Sequence, residues 1–190
     1  TYKIIGYIKI ADQLRSTSVQ AVKRLKSMGI EVMMLTGDNY ATATAIARQV
    51  GITNYRAEVL PQDKAAEIER IRNSGKFIAM VGDGINDAPA LAAADVSFAI
   101  GSGSDIAIET ADITLVRNDL MSVADAVSLS KKTLDKIRQN LFFAFIYNVL
   151  GIPLAALGLL NPVIAAAAMA MSSVSVVANS LLLKRWRPNS

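Results

Sequence analysis

Over its first 120 residues the chain alternates between two hydrophobic patterns, and beyond them it changes character. Short apolar runs, several rich in β-branched residues, occupy positions 4–10, 32–35, 77–81, 96–100 and 113–116, and each predicts a strand. Between them, positions 19–28, 40–50, 63–73 and 88–93 carry helical patterns. Gly29, Gly51 and Gly75 stand where helices should end, because glycine takes the left-handed C-terminal turn without a Cβ penalty. Strands alternating with helices predict a parallel sheet with helices on both faces, and ligands then sit at the carboxyl ends of the strands.

Residues 128–140 are a polar, basic helical segment that runs without proline or glycine into residues 141–183, where no residue is charged. Asn161-Pro162 divides that stretch into two runs of about 20 residues, each long enough as helix to cross about 30 Å of hydrocarbon. The expectation is a soluble domain over 1–120, a connecting helix over 121–140, membrane helices over 141–160 and 163–183 with a turn at 161–162, and a basic tail over 184–190. The alternative, two buried helices of a soluble protein, leaves too little chain to cover them. Lys131, Lys132, Lys136 and Arg138 precede the pair and Lys184, Arg185 and Arg187 follow it, which places both ends in the cytoplasm. A helix continuous from the soluble domain into the bilayer is expected to act as a rigid connector. The strand-like start at Thr1, with no signal sequence, reads as the C-terminal piece of something longer.

Composition narrows the chemistry. At 52% hydrophobic the chain is too apolar for a disordered or nucleic-acid-binding tail. It has no cysteine and no histidine, which excludes disulfides, thiolate or imidazole metal sites and histidine-based triads within it. The net charge of +4 belongs to the tail: residues 1–130 hold 13 Lys/Arg against 15 Asp/Glu, and residues 131–190 hold 7 against 1. Carboxylates, lysines, hydroxyls, backbone dipoles and bound ions remain.

Two strand-to-helix loops concentrate such groups: Thr36-Gly37-Asp38-Asn39, and Gly82-Asp83-Gly84-Ile85-Asn86-Asp87-Ala88-Pro89. The second packs two carboxylates, an amide and two glycines into six residues, suited to a hard cation such as Mg²⁺ held partly by substrate phosphate. Thr36 and Gly37 offer a hydroxyl and a backbone N–H to an anion. Lys64, in Leu60-Pro61-Gln62-Asp63-Lys64, stands at another helix start and could neutralise a phosphoryl group. Singly, these are an ordinary cap, a turn and a solvated charge. Their order on successive strands points to one site. Asp12-Gln13-Leu14-Arg15 reads equally well as a turn and cap, and is assigned no chemistry.

Thr36-Gly37-Asp38, Leu60-Pro61-Gln62-Asp63-Lys64 and the segment from Gly82 through Pro89 to Ala90-Leu91 resemble the later signature segments of P-type ATPases. The resemblance runs along nearly the whole chain, including Gly101-Ser102-Gly103-Ser104-Asp105 and the apolar pair. It implies an α/β fold: a haloacid dehalogenase-like parallel sheet, part of a phosphorylation domain, followed by two transmembrane helices. It implies that Asp83 ligates Mg²⁺, supported by Asp87 and Asn86, that Lys64 holds phosphoryl oxygens, that Thr36 and Gly37 bind the phosphoryl group, and that Asp38 positions ATP. The family's nucleophile lies in an Asp-Lys-Thr-Gly-Thr segment, which this sequence lacks, as it lacks the nucleotide-binding insertion. The chain alone is therefore expected to form no aspartyl-phosphate.

Acids and lysines are absent from the apolar runs, against expectation for a hard or divalent cation path. Met169 and Ser173 share a helix face, and a thioether is a soft ligand suited to Cu(I), although methionine also fills gaps and small residues pack helices. Tyr147-Asn148 and Met169-x-x-Ser172-Ser173 resemble markers of the copper and silver branch of heavy-metal P-type ATPases, and imply that Tyr147, Asn148, Met169 and Ser173 are Cu(I) transport-site positions. That branch's Cys-Pro-Cys ligands lie on an earlier helix. The implied function is part of a copper(I)-exporting ATPase in a membrane, the implied partners being lipid, the rest of the ATPase and the copper ion, with no nucleic acid. Silver is a second implied cargo. Two alternatives stand beside it: a non-catalytic truncated membrane subunit, and an ATPase for zinc or another divalent metal.

Overall fold

Helix α1, Ser16–Ser27, turns Ala21 and Val22 inward, and α2, Tyr40–Val50, buries Ala43, Ala47 and Val50 along one stripe. Asn39 starts α2 by accepting the Thr42 N–H on its side-chain oxygen at 2.9 Å. Gly51, at φ 75°, ends it, and the Ile52 N–H reaches back to the Ala47 carbonyl at 2.8 Å. The computed structural model describes residues 14–83, 85–101, 105–159 and 161–188. The expected first strand, Asp12, Gln13, Gly84 and the Ser102-Gly103-Ser104 run lie outside these. The chain divides into two units, Thr1–Ala124 and Asp125–Ser190.

In the first unit every ladder is parallel. Strand β1, Met33–Leu35, pairs with β2, Asn54–Arg56; β3, Ala79–Gly82, pairs with β4, Val96–Ile100, which pairs with β5, Ile113–Leu115. Among the described residues the expected single sheet is thus a pair of strands and a triplet. β4 is central, with Ser97, Phe98, Ala99 and Ile100 all buried, as a strand covered on both faces requires. An aspartate just before a strand starts two of the pairings. Asp95 accepts the Ile78 N–H at 2.8 Å ahead of β4, and Asp112 accepts the Ser97 N–H at 2.9 Å and hydroxyl at 2.8 Å ahead of β5. The buried Ser97 hydroxyl is thereby satisfied.

Helices α3, Pro61–Arg72, α4, Ala88–Ala93, and α5, Asp105–Thr110, complete the unit. Neither β2 nor α5 was expected from the sequence. β2 is three residues, polar, aromatic and basic, so its pairing with β1 and not its hydrophobicity makes it a strand. α5 is too short for a helical period to show. Conversely, Phe77 and Val116 were expected at strand ends but lie outside the ladders, with Val116 93% exposed.

In the second unit, α6 runs unbroken as Met121–Ala156, beginning in the last residues of the first unit and carrying Pro153 near its end. It stops at Gly158, φ 70°, where the Leu159 N–H bonds the Leu154 carbonyl at 2.9 Å. Asn161 then caps α7, Pro162–Leu181, by accepting the Val163 N–H at 2.8 Å. Both helices are long and apolar enough to cross a membrane, and the apolar window of neither is buried. Within this chain, neither helix is buried as a core helix.

Candidate functional site

The first loop leaves β1 at Thr36, whose N–H still bonds the Arg56 carbonyl at 3.0 Å. Its hydroxyl donates to Asp38 Oδ2 at 2.9 Å and accepts the Asp38 N–H at 3.1 Å, which closes a tight turn. Backbone bonds from Val59 N–H to the Thr36 carbonyl and from Glu58 N–H to the Asp38 carbonyl fix this turn against the segment that opens α3. Glu58 adopts φ 56°, a left-handed conformation uncommon for a residue with a side chain.

That same segment delivers Lys64. Leu60 and Pro61 start α3, and Arg56 at the end of β2 bonds Glu67 on α3 at 3.2 Å. Glu67 also takes two hydrogen bonds from Arg70, and these, ahead of the bond from Arg56, hold its pKa below the ordinary carboxylate value. α3 is thus anchored with Lys64 on its inner side. Lys64 Nζ donates to Asp87 Oδ1 at 2.7 Å, with the two side chains only 16% and 15% exposed. Asp87 ends the 3-10 turn Ile85–Asp87 that follows β3.

Gly82 makes this possible. A Cβ there would lie 2.8 Å from Asp87 Cβ and 3.1 Å from its Oδ2, so any larger residue would push the carboxylate off its seat. Asp83, next along, is exposed, and no hydrogen bond or ion pair joins it to another described residue. Asn86 is exposed beside it. The arrangement is one carboxylate neutralised by a lysine and one left free, at the carboxyl end of a parallel strand. Among the described residues no group of three or more acids forms a cage for a metal ion. Nor does a hydrogen bond or ion pair link the Thr36 turn directly to Lys64, Asp83 or Asp87; the connection runs through residues 58–60.

In the second unit Tyr147 and Asn148 lie on α6, where Asn148 Nδ2 donates to the Ala144 carbonyl at 2.9 Å and leaves its oxygen available. Met169 and Ser173 lie on α7 and share a face, with the Ser173 hydroxyl 3.4 Å from the Met169 carbonyl. Met169 is 66% exposed, as are Phe142, Phe145, Val149 and Ile152 to a similar degree. Apolar surface of this extent on a helical hairpin calls for lipid or protein around it. Lys64 and the acidic turn, read from the sequence as parts of one site, do meet, through Asp87. Sequence reading missed a polar cluster joining Lys136 and Asn140 on α6 to Asn179 and Ser180 on α7, which has no local signal because its residues are far apart in the chain.

Parallel ladders, an acidic turn after β3 and a lysine reaching it from α3 are features of the haloacid dehalogenase-like hydrolases. Two models of that description match residues 2–95 and 64–127. The chain is 61% identical over 180 residues to the copper-exporting P-type ATPase of Bacillus subtilis (strain 168), an alignment covering 95% of this chain and 22% of that protein. It is 56% identical over 186 residues to the copper-exporting P-type ATPase of Staphylococcus aureus (strain JH9), covering 98% and 23%. Among solved structures, a zinc-transporting PIB-type ATPase in its E2.Pi state matches with a TM-score of 0.82 and 38% identity, over 90% of this chain and 28% of that one. The chain belongs to the P-type ATPase family. It spans less than a quarter of the length of the curated relatives it matches.

Proposed function

We propose that this chain supplies part of the phosphoryl-transfer site and a membrane hairpin of an ATP-driven copper(I) exporter. The observation that carries the first half is the Lys64–Asp87 pair, 2.7 Å apart beside the free carboxylate of Asp83. Lys64 gives one N–H to Asp87 and retains two for phosphoryl oxygens. Asp87 thereby acts first as the anchor of the lysine. The Thr36 hydroxyl, now donating to Asp38, would turn toward a bound phosphoryl group, leaving Asp38 to orient the nucleotide.

One free acid beside a lysine-neutralised one fits an ion that takes one or two carboxylates together with substrate phosphate and water, as Mg²⁺ does. Asp83 would hold it, with Asp87 and Asn86 adjacent. When bound, that ion would supply positive charge at the phosphoryl oxygens. The acceptor of the phosphoryl group is outside this sequence, which holds no Asp-Lys-Thr-Gly-Thr segment.

For the cargo, Tyr147, Asn148, Met169 and Ser173 are the proposed positions, a neutral set with one thioether that favours Cu(I), and Ag(I) with it, over a hard cation. The names of the curated relatives support the same choice. The zinc-transporting structure favours a second reading, transport of a divalent metal, against which the uncharged stretch 141–183 speaks. The hairpin would lie in lipid, in a bacterial plasma membrane, with both flanking basic clusters cytoplasmic. ATPase assays on the complete protein with Cu(I), Ag(I) and Zn(II) decide the cargo. Stimulation by the two monovalent ions is expected, and stimulation by Zn(II) alone would replace this reading with the divalent one.

A further inference from the structure

Four side chains clasp the two membrane helices at one end. Lys136 Nζ donates to Asn179 Oδ1 at 2.7 Å. Asn179 Nδ2 donates to Asn140 Oδ1 at 2.8 Å, and Asn140 Nδ2 donates to Ser180 Oγ at 2.8 Å. Ser180 in turn donates to the Val176 carbonyl of its own helix. Both ends of each amide are used, and Asn179 is only 9% exposed. Few arrangements are so determined in direction, because shifting either helix breaks several bonds at once.

At the other end of the hairpin α6 closes at Gly158 and Asn161 caps α7. From Asn140 to the end of α6 the helix climbs about 24 Å, and from the start of α7 to Asn179 it descends about 26 Å, at about 1.5 Å per residue. With nearly equal legs and the clasp at one end, the register of the antiparallel pair is set. A climb of about 12 Å along α6 from Asn140 reaches Asn148, and the same climb along α7 from Asn179 reaches Met171, midway between Met169 and Ser173.

We infer that Lys136, Asn140, Asn179 and Ser180 are positioning residues, which hold the two spans in the register that brings Tyr147 and Asn148 to the same membrane depth as Met169 and Ser173. A slip of one helical turn would separate the two pairs by about 5.4 Å. The inference rests on the reading of those four residues as the transport site.

The test uses the complete ATPase in membranes and two readouts: the Cu(I) concentration for half-maximal ATPase stimulation, and the acyl-phosphate formed from inorganic phosphate with Mg²⁺ present and Cu(I) absent. Asn179→Leu is expected to raise the half-maximal Cu(I) concentration about tenfold and to leave the acyl-phosphate level unchanged. Asn179→Asp, whose carboxylate accepts from Lys136 and from a turned Asn140 amide, should stay within about twofold of the parent. Should Asn179→Leu fail to accumulate, Ser180→Ala removes one bond of the cluster and should raise the concentration about two- to threefold. Unchanged half-maximal concentrations in folded Asn179→Leu or Ser180→Ala, or equal loss in Asn179→Leu and Asn179→Asp, would overturn the inference. Asn148→Ala separates the two claims. If it raises the half-maximal concentration while Asn179→Leu does not, the positioning role alone fails; if it too has no effect, the transport-site reading falls and takes the positioning role with it.

Discussion

Lys64 in the first unit and Lys136 in the helical hairpin each hold an oxygen at 2.7 Å, but the oxygens differ in kind. Lys64 meets a carboxylate, so two opposite charges cancel and the neighbouring Asp83 is left as the free charge of the acidic turn. Lys136 meets the neutral amide of Asn179, among side chains that are themselves satisfied by amides and a hydroxyl. In the proposed phosphoryl-transfer site this pairing would keep one carboxylate available for an ion. At the end of the hairpin the lysine is instead taken up by a network of amides and a hydroxyl that satisfy one another.

Replacing each lysine breaks the comparison most sharply. In the complete ATPase, Lys64→Met should lower acyl-phosphate formation about 100- to 1000-fold, whereas Lys136→Met should leave formation from inorganic phosphate within about twofold. Equal losses would show that the two lysines do the same work. Gly82→Ala is the next test, because the added Cβ would displace Asp87 and release Lys64 without removing either. The expected result is acyl-phosphate formation slowed about tenfold and a first unit destabilised by about 1–3 kcal/mol, read by denaturant unfolding followed in that unit. Wild-type behaviour would mean that the lysine keeps its place without its partner.

The smallest effect concerns a side chain held, like Lys136, by neutral groups. The Ser97 hydroxyl and then the Ser97 N–H lower the pKa of Asp112. A carboxylate with a lowered folded-state pKa stabilises the fold above the unfolded-state value, and that contribution is lost as the pH falls through the folded-state pKa. Asp112→Asn should therefore flatten the acid limb of the first unit's stability curve, measured as unfolding midpoint against pH. An unchanged acid limb would remove Asp112 from the account.

Much of this was legible in the sequence because it is local. The Thr36-Gly37-Asp38 and Gly82-to-Pro89 loops follow strands and open helices, and Gly51 marks the end of α2 as expected. The uncharged run 141–183 shows the hairpin. Lys64 and the acidic turn were read as one site, and the fold adds that Asp87 is the residue that receives the lysine. What stayed hidden is made by chain reversal alone: Lys136 finding Asn179, and β2 becoming a strand only through β1. Asn140, Asn179 and Ser180 look like ordinary polar positions until the fold supplies their partners.

The central claim is that the acidic turn after β3 and the lysine of α3 form one phosphoryl-transfer site. Acyl-phosphate labelling of the complete ATPase carrying Asp83→Ala tests it most directly. Loss of the labelled species, with the protein folded and in the membrane, is the predicted result, and labelling at the parent level would contradict it.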